Sequence, residues 1–429
     1  MRDYLTTIPL QASLVIIFLS ITYLTQRFWF MRAWWLIEGV ARPNSRTLLR
    51  CLLFVAASAV LITVLDSALG HILPRGRVVD HLIAATKLWL SLSFLAVLSI
   101  KAVSAFHRIL ERISAVTTPG NRGKLDSSRR AFIRYTTIAA GGLPYVAGAY
   151  GFFDERLNFQ TRAVQIPVAR LPRELDGLRI VQLSDIHMSD FMPRAAVGRA
   201  VDMASDLRAD LAVVTGDFIT DINDPLEDCI AELSRLHAPL GVWGCNGNHE
   251  AYANAEETAQ QLFEHYGMRL LRHENVEIEW RGGGRFNVIG VDYQRQPVPY
   301  SKTNPMLQGI EPLIQKNMPN ILLSHNPNTF KRAAELGIEL SLAGHTHGGQ
   351  VRVEIVDHSW SPAHFMTNFV AGLYRLPFAA DANTSRTKLA DEHVKPAFLY
   401  VNRGLGTIGM PVRLGVPPEI TLITLRAVG

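Results

Sequence analysis

Five short apolar runs in the C-terminal two thirds of the chain each end in a cluster of polar residues. The runs span residues 178–183, 211–215, 240–245, 320–323 and 338–343. Their length and β-branched content predict strands buried on both faces. Longer amphipathic stretches between them predict helices over Arg194–Leu207, Pro225–Leu236, Ala255–Tyr266 and Thr329–Leu336. This strand–helix alternation predicts an α/β sheet, and functional sites of such sheets gather at the carboxyl ends of strands.

The N-terminal third has a different pattern, because its apolar stretches are much longer. Ile8–Tyr23, Cys51–Gly70 and Leu82–Ile100 each approach the length that spans the hydrocarbon of a bilayer. A fourth, less apolar stretch covers Tyr135–Phe153. We therefore expect a transmembrane module of about four helices over residues 1–153 and a catalytic domain over residues 154–429.

Charge supports this division. The net charge is +5 with a sequence pI near 9.1, but the basic residues concentrate in the linkers between apolar stretches. Residues 27–50 carry five arginines and one acid, and residues 101–134 carry eight basic residues and two acids. Such linkers face the cytoplasm in membrane proteins, so the excess indicates topology and no nucleic-acid partner. The three cysteines (Cys51, Cys229 and Cys245) have no CxxC spacing, which argues against a zinc–thiolate site. Cys229 and Cys245 could form a disulfide if the domain lies outside the cytoplasm, but two buried free thiols are the favoured interpretation, because sequence spacing does not establish disulfide geometry.

The segment before the fourth stretch, Ser128-Arg129-Arg130-Ala131-Phe132, resembles a twin-arginine export signal at an internal position. The alternative is an ordinary basic flank before a membrane helix. Both interpretations predict a multi-pass protein of the cytoplasmic (inner) membrane. In both, the chain after Phe153 lies outside the cytoplasm.

The polar clusters that end the five strands consist of the ligands that bind divalent metals. They contain Ser184-Asp185-Ile186-His187, Gly216-Asp217, Gly247-Asn248-His249-Glu250, Ser324-His325 and Gly344-His345-Thr346-His347. Imidazole and carboxylate ligands suit Mn, Fe or Zn. Two such cations repel one another and need a bridging anion, which a strand-end carboxylate can supply. A metal pair can hold a shared hydroxide that is nucleophilic at neutral pH and can clamp phosphate oxygens.

The ordered motifs D-x-H, GD, GNHE, H and GHTH resemble those of the calcineurin-like metallophosphoesterase superfamily, over about residues 178–426. The resemblance implies a four-layer αββα sandwich and two divalent metal ions. By position it implies that Asp217 bridges the metals and that His249 contacts the phosphate and assists the leaving oxygen without ligating. The remaining metal ligands that it implies are Asp185, His187 and His347 for the first ion and Asn248, His325 and His345 for the second. Glu250 is expected to support the site or cap its helix.

Within the superfamily, the sequence departs from the phosphoprotein phosphatases. Asn246 stands before Gly247 where those enzymes have a phosphate-binding arginine, and no glycine follows His187. The C-terminal segments Tyr400–Thr407 and Pro418–Ile420 resemble those of a small bacterial exported branch of the superfamily, which includes phosphodiesterases. A phosphodiesterase is therefore the favoured function, and lipid-linked esters are among the candidate substrates. The alternatives are a phosphomonoesterase of the same fold, a nucleotide-linked lipid pyrophosphatase and, less favoured, a metal-binding membrane scaffold without turnover. Aromatic residues in 353–396 have two interpretations, as a substrate or membrane lid and as ordinary core anchors.

Overall fold

The computed structural model describes residues 2–69, 73–74, 76–117, 127–168, 170–295, 306–355, 358–378 and 396–427. The chain divides into two compact units, Met1–Tyr150 and Gly151–Gly429. The long apolar stretches before residue 150 and the polar strand-end clusters therefore belong to different units.

Long helices form the first unit. Its described residues contain α1 (Arg2–Glu38), α2 (Pro43–Ala68), α3 (Arg77–Thr117) and α4 (Ser127–Phe153), the last of which continues into the second unit. Among these residues, α2 and the stretch Arg77–Ile113 of α3 are long and apolar enough to cross a membrane. Only 6% of the apolar window of α2 is buried, so its apolar side chains are not explained by a protein core. The membrane crossings in α1 and α4 stay predictions.

The second unit is built on two mixed sheets. In the described part of the chain, the first sheet runs in the order β1 (Gln160–Val168), β14 (Glu419–Ala427), β2 (Arg179–Leu183), β3 (Leu211–Thr215), β4 (Val242–Cys245) and β5 (Arg269–Leu270). Only the pair β14–β2 is antiparallel. The strands β2, β3 and β4 are therefore parallel, and their carboxyl ends meet at one edge.

The second sheet runs, again over the described residues, in the order β12 (Gly372–Pro377), β13 (Pro396–Val401), β9 (Leu340–Ala343), β8 (Asn320–Leu323), β7 (Arg285–Gly290) and β6 (Glu274–Glu279). Its four central strands are parallel and its two outer pairs antiparallel. A separate ribbon pairs β10 (Val353–Ile355) with β11 (His358–Trp360).

Helices cover the outer faces of the sheets. One buried apolar cluster joins the first sheet to α5 (Arg194–Asp206), α6 (Leu226–Leu233) and α8 (Glu256–His265). A second cluster lies between the two sheets, and a third joins the second sheet to α9 (Phe330–Glu335). The short helix α7 (Asn248–Ala253) follows β4. This arrangement confirms the predicted α/β class and αββα layering.

The segment 353–396 is described only in part. Phe369 and Phe378 are buried in a cluster with Phe330, as the core-anchor interpretation predicts for them. Phe365 is 83% exposed. The side chain of Trp360 and all of residues 379–395 lie outside the described residues.

Candidate metal centre

Both sheets contribute predicted ligands, and each ligand follows the carboxyl end of a strand. Asp185 and His187 follow β2, Asp217 follows β3, and Asn248 begins α7 after β4. From the second sheet, His325 follows β8, and His345 and His347 follow β9. The parallel direction of these strands brings all of the clusters to one edge of the unit, as strand-end sites require.

Two groups of side chains lie within metal-binding distance of one another, and they share one carboxylate. In each group, the candidate ligand atoms lie within 4.8 Å of one another. The first group contains Asp185, His187, Asp217 and His347, and the second contains Asp217, His325 and His345. The Oδ2 atom of Asp217 lies 3.0 Å from Nε2 of His325 and 3.5 Å from Nε2 of His187. Asp217 therefore has the position of a bridging ligand between two cation sites.

Buried atoms without hydrogen-bond partners support the fit of this donor set to a pair of cations. Nε2 of His187, Nε2 of His325 and Oδ1 of Asn248 are all buried, and none makes a hydrogen bond of good geometry. An unpaired buried polar atom is costly unless it has another partner. Nitrogen and oxygen donors of these kinds suit Mn, Fe or Zn. The residues present thus fit the two divalent metals that the motifs imply.

Hydrogen bonds at Nδ1 orient three of the imidazoles toward the cluster. Nδ1 of His325 lies 2.6 Å from the carbonyl oxygen of Thr215, and Nδ1 of His347 lies 3.3 Å from that of Gly406. A carbonyl only accepts, so Nδ1 carries a proton in both rings and Nε2 is the ring atom turned toward the cluster. Nδ1 of His187 lies 3.0 Å from Oγ1 of Thr220. Ring orientation of this kind is typical of metal-ligating histidines.

The charges of the group are strongly coupled. Burial raises the pKa of the Asp217 carboxyl, but the neighbouring His325 and His187 outweigh it and hold that pKa well below its usual range. Burial also lowers the pKa of His325, yet the Asp217 carboxylate raises it to about 10. Burial lowers the pKa of His345 to about 4 and raises that of Asp185. A proton on His325 thus compensates Asp217, and a divalent cation would take over that compensation.

The backbone is strained at the predicted ligands. The residues Asp185, His187, Asp217, His345 and His347 all have positive φ, between 48° and 74°. Residues with side chains seldom adopt this left-handed conformation, and each instance costs about 1–3 kcal/mol. Strain of this kind clusters at active sites because the surrounding structure holds residues where the chemistry needs them.

Glu250 holds the loop that carries Asp217. Its buried carboxylate accepts backbone N–H bonds from Asp217 at 2.9 Å, Phe218 at 2.7 Å and Gly247 at 2.8 Å. Burial and the charge of Asp217 raise the pKa of Glu250 to about 7. The bond from Gly247 is the capping contact expected at the start of α7. Glu250 therefore ties the ends of β3 and β4 together and supports the site without belonging to either ligand group.

Two glycines allow the clusters to approach one another. A Cβ at Gly247 would lie 2.1 Å from Oδ1 of Asp217 and 2.5 Å from its backbone nitrogen. A Cβ at Gly344 would lie 1.9 Å from Oγ of Ser184 and 2.2 Å from Oδ2 of Asp185. The glycines of the GNHE and GHTH motifs are therefore explained by close packing of one strand end against another.

His249 lies beside the first ligand group and belongs to neither. Its ring centroid is 4.8 Å from that of His187, with the two planes nearly perpendicular. Nδ1 of His249 lies 2.7 Å from the carbonyl oxygen of Thr220, so it carries the proton and leaves Nε2 as the second polar atom of the ring. Burial lowers the pKa of His249. Its backbone N–H donates to Oδ1 of Asp217.

Three residues that help to build the site were not predicted from the sequence. Thr220 contacts both His187 and His249. Tyr293 packs against His345 with ring centroids 5.6 Å apart. A signal for Tyr293 was present, because the apolar run 286–291 ends in a polar cluster like the other five. Arg413 is fully buried, and its flanking apolar residues were the only hint of that.

Arg413 supports the loop beneath the first ligand group. Its guanidinium donates to the carbonyl oxygens of Arg403, Gly404, Gly406 and Val416 at 2.6–3.2 Å. Burial lowers its pKa to about 10. One buried side chain thereby satisfies four carbonyl oxygens of this loop. The three cysteines are free, as predicted, and Cys229 and Cys245 are buried.

Comparisons with known proteins agree with this geometry. Residues 178–349 match the calcineurin-like phosphoesterase family. A Bos taurus protein named "transmembrane protein with metallophosphoesterase domain" is 30% identical over 317 residues, which cover 71% of this chain and 65% of that protein. The "uncharacterized metallophosphoesterase YkuE" of Bacillus subtilis (strain 168) is 28% identical, covering 70% of this chain and 98% of its own. The "phosphodiesterase YaeI" of Escherichia coli (strain K12) is 25% identical, covering 58% and 82% respectively.

The family match begins at the strand that leads into Asp185 and ends just after His347, so it contains every predicted ligand. The Bos taurus relative extends beyond the aligned region, because the chain spans 65% of its length. Together with the paired candidate ligand groups around Asp217, these matches show that residues 178–349 form a calcineurin-like phosphoesterase domain, a type of domain that hydrolyses phosphoesters.

Proposed function

We propose that this chain is a membrane-tethered, metal-dependent phosphodiesterase. The observation that carries the proposal is the carboxylate of Asp217, which two groups of buried metal-binding side chains share. In the proposal, Asp185, His187 and His347 hold one cation with Asp217. The second cation is held by Asp217 together with Asn248, His325 and His345.

The chemistry follows from the residues around that pair. When bound, two divalent cations supply charge that polarises phosphate oxygens and lowers the pKa of a water molecule. His249 has its Nδ1 proton committed to the Thr220 carbonyl, so Nε2 is the atom that delivers a proton to the leaving oxygen. An anionic phosphate beside the His249 ring favours the protonated imidazole. This offsets the effect of burial, which lowers the pKa of His249.

Hydrolysis of a diester, rather than a monoester, is favoured by the neutral residue Asn246 just before the GNHE motif. Asn246 donates to Oδ1 of Asp292 at 2.8 Å, at the position where phosphoprotein phosphatases carry an arginine. A monoester carries up to two negative charges at neutral pH and a diester one, so the diester requires less cationic compensation. The Escherichia coli relative is also named a phosphodiesterase. A phosphomonoesterase of the same fold is the alternative.

Membrane attachment rests on α2 and α3 and on the relatives. The Bos taurus and Danio rerio proteins are both named transmembrane proteins with a metallophosphoesterase domain. We infer a multi-pass protein of the cytoplasmic membrane with the arginine-rich linkers inside and the catalytic domain outside. Protease treatment of intact spheroplasts should cleave the catalytic domain. Cleavage only after lysis would mean that the catalytic domain faces the cytoplasm instead.

The activity is tested on the full-length chain in detergent with bis(p-nitrophenyl) phosphate and p-nitrophenyl phosphate, in Mn²⁺, Zn²⁺ or chelator. We expect metal-dependent turnover with the diester preferred. Turnover should be lost in Asp217→Asn and kept in Asp206→Asn, which changes an exposed carboxylate on α5. A strong preference for the monoester would favour the alternative. Bound metal without hydrolysis of either ester would favour the metal-binding scaffold.

A further inference from the structure

The rim of the metal centre carries two tyrosines and an arginine that the proposed chemistry does not use. Tyr252 lies on α7, three residues after His249, and is 56% exposed. Tyr293 follows β7 and is half-buried, and Arg295 is exposed two residues later. Because β7 and β8 are parallel, Tyr293 emerges at the same edge as His325.

Both tyrosine rings contact histidines of the centre. The ring of Tyr252 is 5.6 Å from that of His249, with the planes 67° apart. The ring of Tyr293 is 5.6 Å from that of His345 and 6.2 Å from that of His325. The two tyrosines therefore border the centre beside the proposed proton donor and beside the second ligand group.

The three rim residues lie close to one another as well. The guanidinium of Arg295 is 5.9 Å from the ring centroid of Tyr252, within the range of a cation–π contact. Burial raises the pKa of the Tyr293 hydroxyl to about 12, with Tyr252 raising it further and Arg295 lowering it. Arg295 therefore contacts the Tyr252 ring and follows Tyr293 by two residues, so the three side chains border the same edge of the centre.

Ion pairing fixes the loop that presents Tyr293. Asp292 accepts from Nε of Arg272 at 3.0 Å and from Nδ2 of Asn246 at 2.8 Å. Asn326 donates to the carbonyl oxygen of Gln294 at 2.8 Å. The residues on both sides of Tyr293 are therefore hydrogen-bonded to side chains that follow β4, β5 and β8. A ring held this firmly, with part of its surface open, is preorganised for a ligand.

We propose that Tyr252, Tyr293 and Arg295 form a subsite for a planar aromatic group carried by the substrate phosphate. Flat, partly exposed aromatic faces bind planar rings by stacking, and a guanidinium stacks on such rings or pairs with an anionic substituent. The ligand class is a phosphoester whose organic group contains an aromatic ring, either an aryl group or a nucleobase. This inference rests on the proposed function and adds its substrate class.

Calorimetric binding to the metal-loaded full-length chain in detergent tests the subsite without requiring turnover. Methylphosphonate, cyclohexylphosphonate and phenylphosphonate share one charged head and resist hydrolysis at their P–C bond. Cyclohexyl matches phenyl in size without being aromatic. We expect phenylphosphonate to bind about tenfold more tightly than cyclohexylphosphonate, from the usual strength of aromatic pairing. A phosphonate analogue of a nucleoside 5′-phosphate distinguishes the two sources of the ring, since it binds most tightly only where a nucleobase is preferred.

Substitutions of the rim residues complete the test. Tyr252→Leu and Tyr293→Leu should abolish the preference for phenyl over cyclohexyl, and Tyr252→Phe and Tyr293→Phe should retain it. Arg281→Gln, at an exposed arginine between β6 and β7, is the matched control for Arg295→Gln. Metal content and Tm are measured for each variant. Equal binding of phenyl and cyclohexyl by the wild type, or a preference that survives in both leucine variants, would overturn the subsite. Failure of the metal-loaded chain to bind methylphosphonate would instead count against the proposed metal function.

Discussion

The glycine before Asn248 offers a direct test of how tightly the metal centre is packed. Replacing Gly247 by alanine adds one Cβ atom, which would lie 2.1 Å from Oδ1 and 2.5 Å from the backbone nitrogen of Asp217. Gly247 has φ of −99°, a value open to any residue, so the effect is purely steric. Its target is the carboxylate that both ligand groups share.

The size of the effect follows from these distances. Ordinary van der Waals contact begins at 3.4 Å, so Asp217 and Gly247 must separate by about 1.3 Å. Inserting a methyl group into packed structure costs about 1–3 kcal/mol. A ligand displaced by about 1 Å can cost about a hundredfold in rate. We therefore expect a modest loss of stability beside a loss of kcat/KM on the diester of about a hundredfold.

The assay combines metal content by mass spectrometry, Tm and diester kinetics of the full-length variant. Gly198→Ala on α5 is the matched control, because the nearest atoms to its new Cβ are the ends of the flexible Arg235 and Glu232 side chains at 3.0 and 3.1 Å. We expect near wild-type behaviour for the control. If Gly247→Ala kept wild-type metal content and kcat/KM within twofold, the position of Asp217 would not matter and the bridging role would be refuted.

Three further substitutions distinguish the residue that we propose acts on the substrate from residues that hold the loops of the site in place. His249→Ala should keep the metal content and lower kcat by about 10²–10⁴-fold, the usual contribution of a proton donor; loss of metal would make His249 a ligand instead. Glu250→Gln should lower the free energy of unfolding by about 2–4 kcal/mol, because an amide cannot accept all of the buried N–H bonds. Urea unfolding checks this, with exposed Glu257→Gln expected to be neutral. Arg413→Lys should lower Tm sharply, since one ammonium cannot replace a fully buried guanidinium that bonds four carbonyls; an unchanged Tm would contradict the supporting role.

Much of the fold could be predicted because its central strands are short and buried on both faces. The strand predicted over 211–215 is observed as β3, and the helix predicted over Arg194–Leu207 ends one residue earlier. Periodicity alone did not show that the predicted strands divide between two sheets. That division depends on long-range pairing, and only the family resemblance predicted it.

Candidate ligands could be predicted where a sequence motif marks them, and the residues that support them were missed because only geometry marks those. The five motifs named every member of the two ligand groups around Asp217. Arg413 and Thr220 act through hydrogen bonds to distant carbonyls and imidazoles, and no local pattern specifies such partners. The positive φ values of Asp185 and His187 could not be predicted either, because a side chain at a left-handed position is imposed by tertiary contacts.

The sharing of ligands between the sheets has a consequence for biogenesis. Asp217 comes from the first half of the domain, and its closest imidazole, His325, comes from the second. A nascent chain that has not yet produced β8 and β9 lacks the second group of candidate ligands, so the proposed pair of metals can be bound only after those strands have been made. The compartment in which folding finishes therefore decides which metals are available to the enzyme. A domain that crosses the membrane already folded would carry cytoplasmic metals with it, whereas one threaded through unfolded would select from those outside.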